Sequence, residues 1–357
     1  MYRERIKKFQ LYLKSENLDG FVVNRMANIR YLCGFTGDTG LLMITDKKAF
    51  MLCDSRFFEA AKKEVKGAKV VLTKGHPLTE LKELKQFQIK NFRYGYEADY
   101  LLCTQLDTLR EALGEALLVS TRGAVDVLST IKDKAEIELI QKAVAISDTA
   151  FERILGYIKP GLREIEVAAE LEYQMKMLGS DKPAFDTIVA SGYRAAFPHG
   201  VASTKKIAKG DLVTFDFGAF YKGYVSDMTR TVVVGKATAR QKKIYNIVLK
   251  AQLAGIKKIK AGVHGTAVDA ASRKIIDRAG YKKNFGHGTG HGIGIYVHVA
   301  PNLGPKSTDT LKKGMVVTVE PGIYIAKWGG VRIEDDVLVT PKGGKVLNKA
   351  PKNLLEL

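Results

Sequence analysis

The segment LVTFDFGAFYKGYVSDMTRTVVV, residues 212–234, determines how the second half of this chain folds. Apolar and polar residues alternate on both sides of Gly223, which is typical of two strands joined by a tight turn. A turn centred near residues 221–222 would place Asp216 directly opposite Asp227 in an antiparallel pair. Two facing carboxylates repel each other unless a proton or a cation lies between them. The hairpin therefore indicates a cation site, with two solvated aspartates on an ordinary hairpin as the alternative.

The size and composition of the chain indicate a two-domain globular protein. Its 357 residues exceed one typical core and predict two domains of roughly 100–200 residues each. With 46% hydrophobic and 27% charged residues, the composition is that of an ordinary globular protein. No apolar run approaches the ~18 residues needed to span a bilayer, and residues 1–20 follow the pattern of a charged amphipathic helix rather than a signal peptide. We therefore expect a cytoplasmic protein with no membrane partner.

The net charge of +19 raises the question of nucleic-acid binding. The lysines are spread through amphipathic segments such as residues 242–260, and the chain has no basic tail, zinc-finger spacing or aromatic RNA-binding motif. We therefore expect no specific nucleic-acid partner. The three cysteines, Cys33, Cys53 and Cys103, form no CxxC pair, so neither a disulfide framework nor a thiolate zinc site is predicted.

Hydrophobic periodicity predicts a different architecture for each part of the chain. The first part alternates short elements, with helices at 3–15, 55–65 and 77–87 and strands at 21–23, 41–44, 49–52 and 69–72. The second part has helices at about 134–158, 163–178, 239–260 and 265–279 and becomes rich in strands from Asp186 onward. A polar stretch near 125–135 reads as a linker. The predicted domains are therefore an α/β domain at 1–130 and an α+β domain at 131–357.

Three of the six histidines lie in one glycine-rich segment, FGHGTGHGIGIYVHVAP, as His287, His291 and His298. The segment has no HExxH spacing, and its glycines fit no dinucleotide-binding motif. Glycines at this density predict a backbone that turns tightly or approaches a ligand closely. Three histidines in such a loop favour a functional site over isolated packed or surface histidines.

A second pair of acids, Glu320 and Glu334, lies in two strand-like runs whose midpoint is Lys327. A hairpin there would again place two carboxylates opposite each other. Four carboxylates and one or two imidazoles are ligands that suit divalent cations. Two ions about 3.5–4 Å apart would neutralise these acids and could activate a water for attack on a carbonyl. Scattered surface acids remain the alternative at this point.

Taken together, these motifs resemble the pita-bread metallopeptidases, specifically the branch of Xaa-Pro aminopeptidases and Xaa-Pro dipeptidases (prolidases). The resemblance covers nearly the whole chain. NIRYLCGFTGDTG at 28–40 is similar to the creatinase-type N-terminal domain, and seven motifs follow in the family's order: PAFDTIVASG, FPHG, DFG, SDMTRT, GHGTGHGIG, TVEPGIY and GVRIED. The resemblance implies an α/β creatinase-type N-terminal domain followed by an α+β pita-bread catalytic domain.

Carried over by motif, the resemblance implies a dinuclear metal centre. Five residues would be its ligands: Asp216, Asp227, His291, Glu320 and Glu334. Asp227 and Glu334 would bridge the two divalent ions, for which manganese, cobalt, zinc and iron are all compatible. Glu320 would also steer protons on the attacking water.

The resemblance also assigns residues around these ligands. His199, in FPHG, would lie near the substrate and the metals, and His298 would contact the substrate carbonyl and the developing oxyanion. Three further side chains would support the ligands or line the pocket: Arg332 beside the bridging carboxylate, His287, and Tyr324 in TVEPGIY.

The predicted reaction is hydrolysis of the bond between an N-terminal residue and a following proline, so the partner is a peptide with proline at its second position. Val299 and Asn302 stand where many members carry glutamate and arginine, which favours an Xaa-Pro aminopeptidase over a strict Xaa-Pro dipeptidase. A non-catalytic pita-bread binding module is a further alternative, and methionine aminopeptidase and creatinase are disfavoured. A homodimer is expected from the resemblance alone.

Overall fold

The computed structural model describes residues 1–357, which form two compact units, Met1–Ser129 and Thr130–Leu357. No helix combines the length and the hydrophobicity that crossing a bilayer requires. The elements of the first unit, with the last helix containing the boundary, are α1 (Tyr2–Ser15), β1 (Gly20–Val23), α2 (Met26–Cys33), β2 (Leu41–Thr45), β3 (Ala49–Cys53), α3 (Ser55–Glu64), β4 (Lys69–Leu72), α4 (Pro77–Glu80), β5 (Arg93–Glu97), α5 (Cys103–Leu113), β6 (Leu117–Thr121) and α6 (Ala124–Thr130).

The first unit is built on one mixed sheet of six strands in the order β4-β3-β2-β1-β5-β6. Strands β1, β2 and β3 pair antiparallel, whereas β4, β5 and β6 join in parallel pairs. Parallel pairs need helical crossovers, which is why helices alternate with these strands. The α/β prediction is confirmed, and the predicted strands and the helices at 3–15 and 55–65 are correct to within a residue.

The continuous helix predicted at 77–87 is wrong. The structure has the short helix α4 and two 3₁₀ turns, Leu81–Glu83 and Lys85–Phe87, separated by a non-helical Leu84 (φ −99°, ψ 73°). The apolar residues of this stretch recur every third position, which matches the three residues per turn of a 3₁₀ helix. Three of its buried side chains, Leu78, Leu81 and Phe87, enter the core of the first unit.

The second unit contains the remaining helices and four small sheets. Its elements are α7 (Lys134–Leu155), α8 (Glu164–Met177), β7 (Lys182–Pro183), β8 (Ile188–Ser191), β9 (Leu212–Phe217), β10 (Ala219–Tyr221), β11 (Tyr224–Val225), β12 (Met228–Val233), α9 (Ala239–Lys258), α10 (Gly265–Arg278), β13 (Gly290–Gly292), β14 (Val299–Leu303), β15 (Val316–Val319), β16 (Gly322–Ile325), β17 (Gly329–Arg332), β18 (Asp335–Val339) and β19 (Gly344–Val346). The sheets are β12-β9-β8, β11-β10-β7, β14-β13-β15-β18-β19 and β16-β17.

Helices α7 and α8 cover the apolar side of β8, β9 and β12. Phe151 of α7 packs edge-on against Phe215 of β9, with ring centroids 6.1 Å apart. A capping box starts α7, where Asp133 accepts from the N–H of Glu136 and the Glu136 carboxylate accepts from the N–H of Asp133. The predicted amphipathic helix is thus confirmed, although it ends at Leu155 rather than at 158.

The register predicted for the first hairpin is wrong by one position in its turn. Tyr221 pairs with Tyr224, so the two turn residues are Lys222 and Gly223, with φ of 47° and 91°. Two-residue hairpin turns often require positive φ at both positions, which favours glycine there. Asp216 consequently faces Thr229.

Asp227 lies two residues before Thr229 and so shares a face with Asp216 as a diagonal neighbour. The two carboxylates therefore belong to one face of the sheet, as expected, without being directly opposed.

The second hairpin has the predicted register. Tyr324 pairs with Gly330 across a turn centred on Lys327, whose φ is 64°. The same register continues beyond a short break into Val319 and Asp335. Glu320 and Glu334 lie in this break at matching positions of the register, although their N–H groups donate to the carbonyls of Thr289 and Thr229 rather than to each other.

Candidate metal centre

Three of the four acids of the proposed centre lie at an interruption or an end of a strand, and the fourth lies within a strand. Glu320 follows β15, Glu334 separates β17 from β18, and Asp227 directly precedes β12. Asp216 lies within β9 and His291 within β13. The second unit thus brings together residues from three separate stretches of chain, the two hairpins and the histidine-rich segment.

Three of these residues converge tightly. The ligand atoms of Asp227, His291 and Glu334 all lie within 4.8 Å of one another. His291 Nε2 is 3.7 Å from Asp227 Oδ2 and 3.4 Å from Glu320 Oε1. The fifth residue, Asp216, has one carboxylate oxygen, Oδ1, that is buried without a hydrogen-bond partner. A buried unpaired oxygen is costly unless a ligand satisfies it.

The carboxylates of this cluster do not tolerate full ionisation by themselves. Burial raises the pKa of Asp227 well above its usual range, and the neighbouring carboxylates, Glu334 first among them, raise it further. The pKa of Glu334 is raised in the same way, by burial and then by Glu320 and Asp216. Burial raises the pKa of Glu320 to about 8, although Arg332 opposes the shift. Divalent cations would relieve this repulsion, so the donor set fits a metal centre.

The imidazole of His291 is prepared for a metal. Its Nδ1 lies 3.2 Å from the carbonyl of Gly292 and can only donate to it, which leaves the Nε2 lone pair facing Asp227 and Glu320. Burial lowers the pKa of His291 to about 4, with the nearby His298 adding to the shift, so the ring is neutral near pH 7. A neutral imidazole held by a backbone carbonyl is the form that binds divalent metals.

Arg332 links several of the predicted residues. Its Nη2 donates to Asp216 Oδ2 at 2.5 Å, its Nη1 to the hydroxyl of Tyr324 at 2.9 Å, and its Nε to the hydroxyl of Thr229 at 3.0 Å. The Thr229 hydroxyl in turn donates to Glu334 Oε2 at 2.6 Å. The guanidinium therefore orients acids at both ends of the cluster and balances part of their charge.

His287 extends this network. Its Nδ1 donates to the carbonyl of Gly288 at 2.8 Å, so its Nε2, 2.9 Å from the Tyr324 oxygen, accepts the phenol proton. Burial lowers the pKa of His287 to about 4, and the positive charge of Arg332 lowers it further. His287 thus lies beside the acids as a neutral support.

Two more histidines, His199 and His298, are exposed at the mouth of the cluster. The His298 ring lies 4.3 Å from that of His291, centroid to centroid. Burial lowers the pKa of His298, the nearby charge of His199 lowers it further, and Asp216 opposes the shift. These rings are close enough to the buried acids to meet a molecule bound on them.

Two further side chains, which no motif identified, hold the backbone of the proposed ligands. Asp336 accepts from the N–H of Asp227 at 3.0 Å, and the hydroxyl of Thr318 accepts from the N–H of His291 at 3.1 Å. The two residues are themselves paired across β15 and β18. Asp336 ends a run of three acids at 334–336, which is a signal in the sequence, whereas no local signal marked Thr318.

Comparisons with known proteins agree with this architecture. The profile of the Creatinase/Prolidase N-terminal domain matches residues 5–129, and that of metallopeptidase family M24 matches residues 138–341. The Xaa-Pro dipeptidase of Pyrococcus furiosus is 40% identical over 99% of this chain and 100% of its own length. The fold-class prediction is thereby confirmed.

Two solved structures are similar over essentially the whole chain. The Xaa-Pro dipeptidase from Bacillus anthracis is 45% identical, with a TM-score of 0.96 and full coverage of both chains. The X-Pro aminopeptidase from Thermotoga maritima is 36% identical, with a TM-score of 0.90 over 96% of this chain and 100% of that one.

Proposed function

Because this chain belongs to metallopeptidase family M24, we propose that it is an Xaa-Pro dipeptidase, which cleaves dipeptides before a C-terminal proline. The observation that carries the proposal is the full-length similarity to the Xaa-Pro dipeptidase from Bacillus anthracis, with a TM-score of 0.96. From the sequence, Val299 and Asn302 favour an Xaa-Pro aminopeptidase. The similar proteins favour the dipeptidase instead.

We assign the five residues Asp216, Asp227, His291, Glu320 and Glu334 to a centre of two divalent ions. Such ions, when bound, lower the pKa of a water and polarise the substrate carbonyl. The residues of the centre supply negative charge and one neutral imidazole, and Arg332 holds Asp216 in place. Manganese is the ion to test first. The use of manganese, the homodimer and the cytoplasmic location all stay predictions.

The protein side chains divide the remaining tasks. Glu320, whose Oε1 lies 3.4 Å from His291 Nε2 at the centre, is placed to take a proton from the attacking water and return it to the leaving prolyl nitrogen. His298 and His199, exposed beside the acids, would donate hydrogen bonds to the oxygen that gains negative charge. Proline lacks an N–H and has a fixed φ, so a dedicated pocket of this kind replaces the strand-like binding of ordinary peptides.

The test compares an Xaa-Pro dipeptide with the matching Xaa-Pro-Xaa tripeptide in the presence of Mn²⁺. A higher kcat/KM on the dipeptide is expected. Preference for the tripeptide would establish the aminopeptidase. The similarity to the X-Pro aminopeptidase from Thermotoga maritima supports this second candidate.

The catalytic assignment has its own variant. Glu320→Ala should abolish turnover on either peptide while the circular dichroism spectrum stays unchanged, and the exposed Glu152→Ala on α7 should be fully active. Wild-type activity in Glu320→Ala would refute the assignment. A metal-free wild-type protein without peptidase activity would instead support a binding module.

A further inference from the structure

The loop that carries His199 is closed at its base by one buried side chain. The loop runs from Ser191, at the end of β8, to Ser203. Glu164, the first residue of α8, is fully buried beneath it. Its Oε1 accepts from the N–H and the hydroxyl of Ser191, at 2.7 and 2.8 Å, and its Oε2 accepts from the N–H and the hydroxyl of Ser203, at 3.1 and 2.6 Å. One carboxylate thus fixes both ends of the loop.

Arg194 connects this carboxylate with the tip of the loop. Its Nη1 donates to Glu164 Oε2, and its Nη2 donates to the carbonyl of Val201 at 2.9 Å. The N–H of Val201 donates to the carbonyl of His199 at 2.9 Å. The buried charge of Glu164 is therefore paired with the Arg194 guanidinium, which also bonds to the backbone close to His199.

The opposite side of the loop rests on β17. Arg332 Nη1 donates to the carbonyl of Pro198 at 3.2 Å. Gly330 lies so close that a Cβ atom there would stand 2.1 Å from the carbonyl oxygen of Ala195. The loop is thus held between the Glu164 cluster on one side and the strand that bears Arg332 on the other.

We infer that Glu164 is a positioning residue for the peptidase reaction, which sets the place of His199 at the mouth of the metal centre through Ser191, Arg194 and Ser203. The inference rests on the proposed function. Glu164 touches neither the acids of the centre nor His199, so it acts only through the loop. Displacement of a reacting group by about 1 Å can cost up to 100-fold in rate, so a relaxed loop has a measurable effect.

The test is Glu164→Gln, which keeps the size of the side chain but replaces an oxygen that accepts with an amide that donates. On an Xaa-Pro dipeptide we expect kcat/KM to fall about 10- to 100-fold, with most of the change in kcat. Metal content by elemental analysis should stay at the wild-type value. The matched control is Glu166→Gln on the same helix. The Glu166 carboxylate pairs with Arg163, and this variant should be fully active.

A double-mutant cycle separates positioning from general loosening of the fold. In a His199→Ala background, Glu164→Gln should lower kcat/KM by less than about 2-fold, because the residue it positions is already gone. Equal losses in both backgrounds would overturn the inference, as would wild-type activity of Glu164→Gln. If Glu164→Gln does not fold, Arg194→Met takes its place in the same cycle.

The role of Glu164 can be tested separately from the peptidase activity. If the wild-type protein binds metal but cleaves no Xaa-Pro peptide, the function is wrong, and the position of His199 is then read from its imidazole NMR signals. These signals should shift in Glu164→Gln and stay in place in Glu166→Gln. Unshifted signals in both variants would overturn the role of Glu164.

Discussion

The hydroxyl of Thr229 donates a 2.6 Å hydrogen bond to Oε2 of Glu334, a residue from a different hairpin. The same hydroxyl accepts from Nε of Arg332 at 3.0 Å. Thr229 faces Asp216 across the first hairpin, so a single small side chain lies among three of the groups that build the centre. Outer groups of this kind orient the ligands of a metal.

Thr229→Val keeps the shape of the side chain and removes its hydroxyl. We expect about 10- to 100-fold weaker metal binding, because Glu334 loses its orienting donor. Thr214→Val is the control, since the Thr214 hydroxyl contacts only that of Thr231, at 3.1 Å, on the same pair of strands. Isothermal titration of metal into the metal-depleted variants measures the difference. Equal affinities for the two variants would contradict the role given to Thr229.

Removal of the metals should destabilise the second unit. Without cations the acids around Asp227 repel one another, and bound ions at 100 times their dissociation constant contribute about 2.7 kcal/mol. The single tryptophan, Trp328, lies in this unit, so its fluorescence follows the unfolding. We expect a lower melting temperature after chelation and full recovery on adding Mn²⁺.

A Glu334→Ala variant tests the origin of this effect. Because the variant lacks a proposed bridging ligand, chelation should hardly change its melting temperature. An equal drop in the variant and in the wild-type protein would place the stabilising ions elsewhere.

Tyr324→Phe removes the hydroxyl that joins Arg332 to His287, each bond being 2.9 Å long. Arg332 is buried and His287 is half-buried, and each would lose a hydrogen bond, which typically costs about 1–3 kcal/mol at a buried group. We expect kcat/KM to fall about 10-fold while the metal content stays unchanged, since Tyr324 is not among the proposed ligands. Tyr193→Phe, at an exposed site, is the control and should behave as the wild-type protein does. Loss of metal from Tyr324→Phe would show that the tyrosine supports the centre directly.

Lys132 should make stability depend on pH. Burial lowers its pKa to about 8, although Glu136 opposes the shift, and its ammonium donates to the carbonyl of Thr130 at 3.0 Å. Below pH 8 the folded state carries a buried charge at a cost. Between pH 8 and about 10.4 the unfolded chain binds more protons, so this contribution to the free energy of unfolding rises with pH.

The comparison with Lys132→Met isolates this contribution. Relative to the variant, the free energy of unfolding of the wild-type protein should increase by up to about 3 kcal/mol between pH 7 and pH 10.5, at 1.36 kcal/mol per pKa unit. Urea denaturation followed by Trp328 fluorescence measures both proteins at each pH. The exposed Lys250→Met should show no such trend, and a constant difference between Lys132→Met and the wild-type protein would refute the prediction.

Local pattern was enough for most elements and for the second hairpin. The turn at Lys327 is set by neighbouring residues, and the alternation of its two strands follows from the sequence, so Glu320 and Glu334 could be placed opposite each other. The first hairpin shows the limit of the same reasoning. Its turn lies at Lys222–Gly223, where positive φ is tolerated, and that choice determines which residue faces Asp216.

Helix α2 shows a second limit. Its start is held by Glu97, whose carboxylate accepts from the N–H groups of Asn24 and Arg25 at 2.8 and 2.9 Å. A cap supplied from a distant strand leaves no mark in the local sequence, so no helix was predicted over Met26–Cys33.

Local patterns are sufficient to identify the groups of the centre, four acids and several histidines, and the hairpins that carry the acids. The convergence of Asp227, His291 and Glu334, and the position of Glu164 under the loop of His199, arise only when distant parts of the chain pack together. Hairpin register depends on neighbouring residues, whereas convergence depends on how separate sheets and helices pack. Such packing is specified by contacts between residues far apart along the chain.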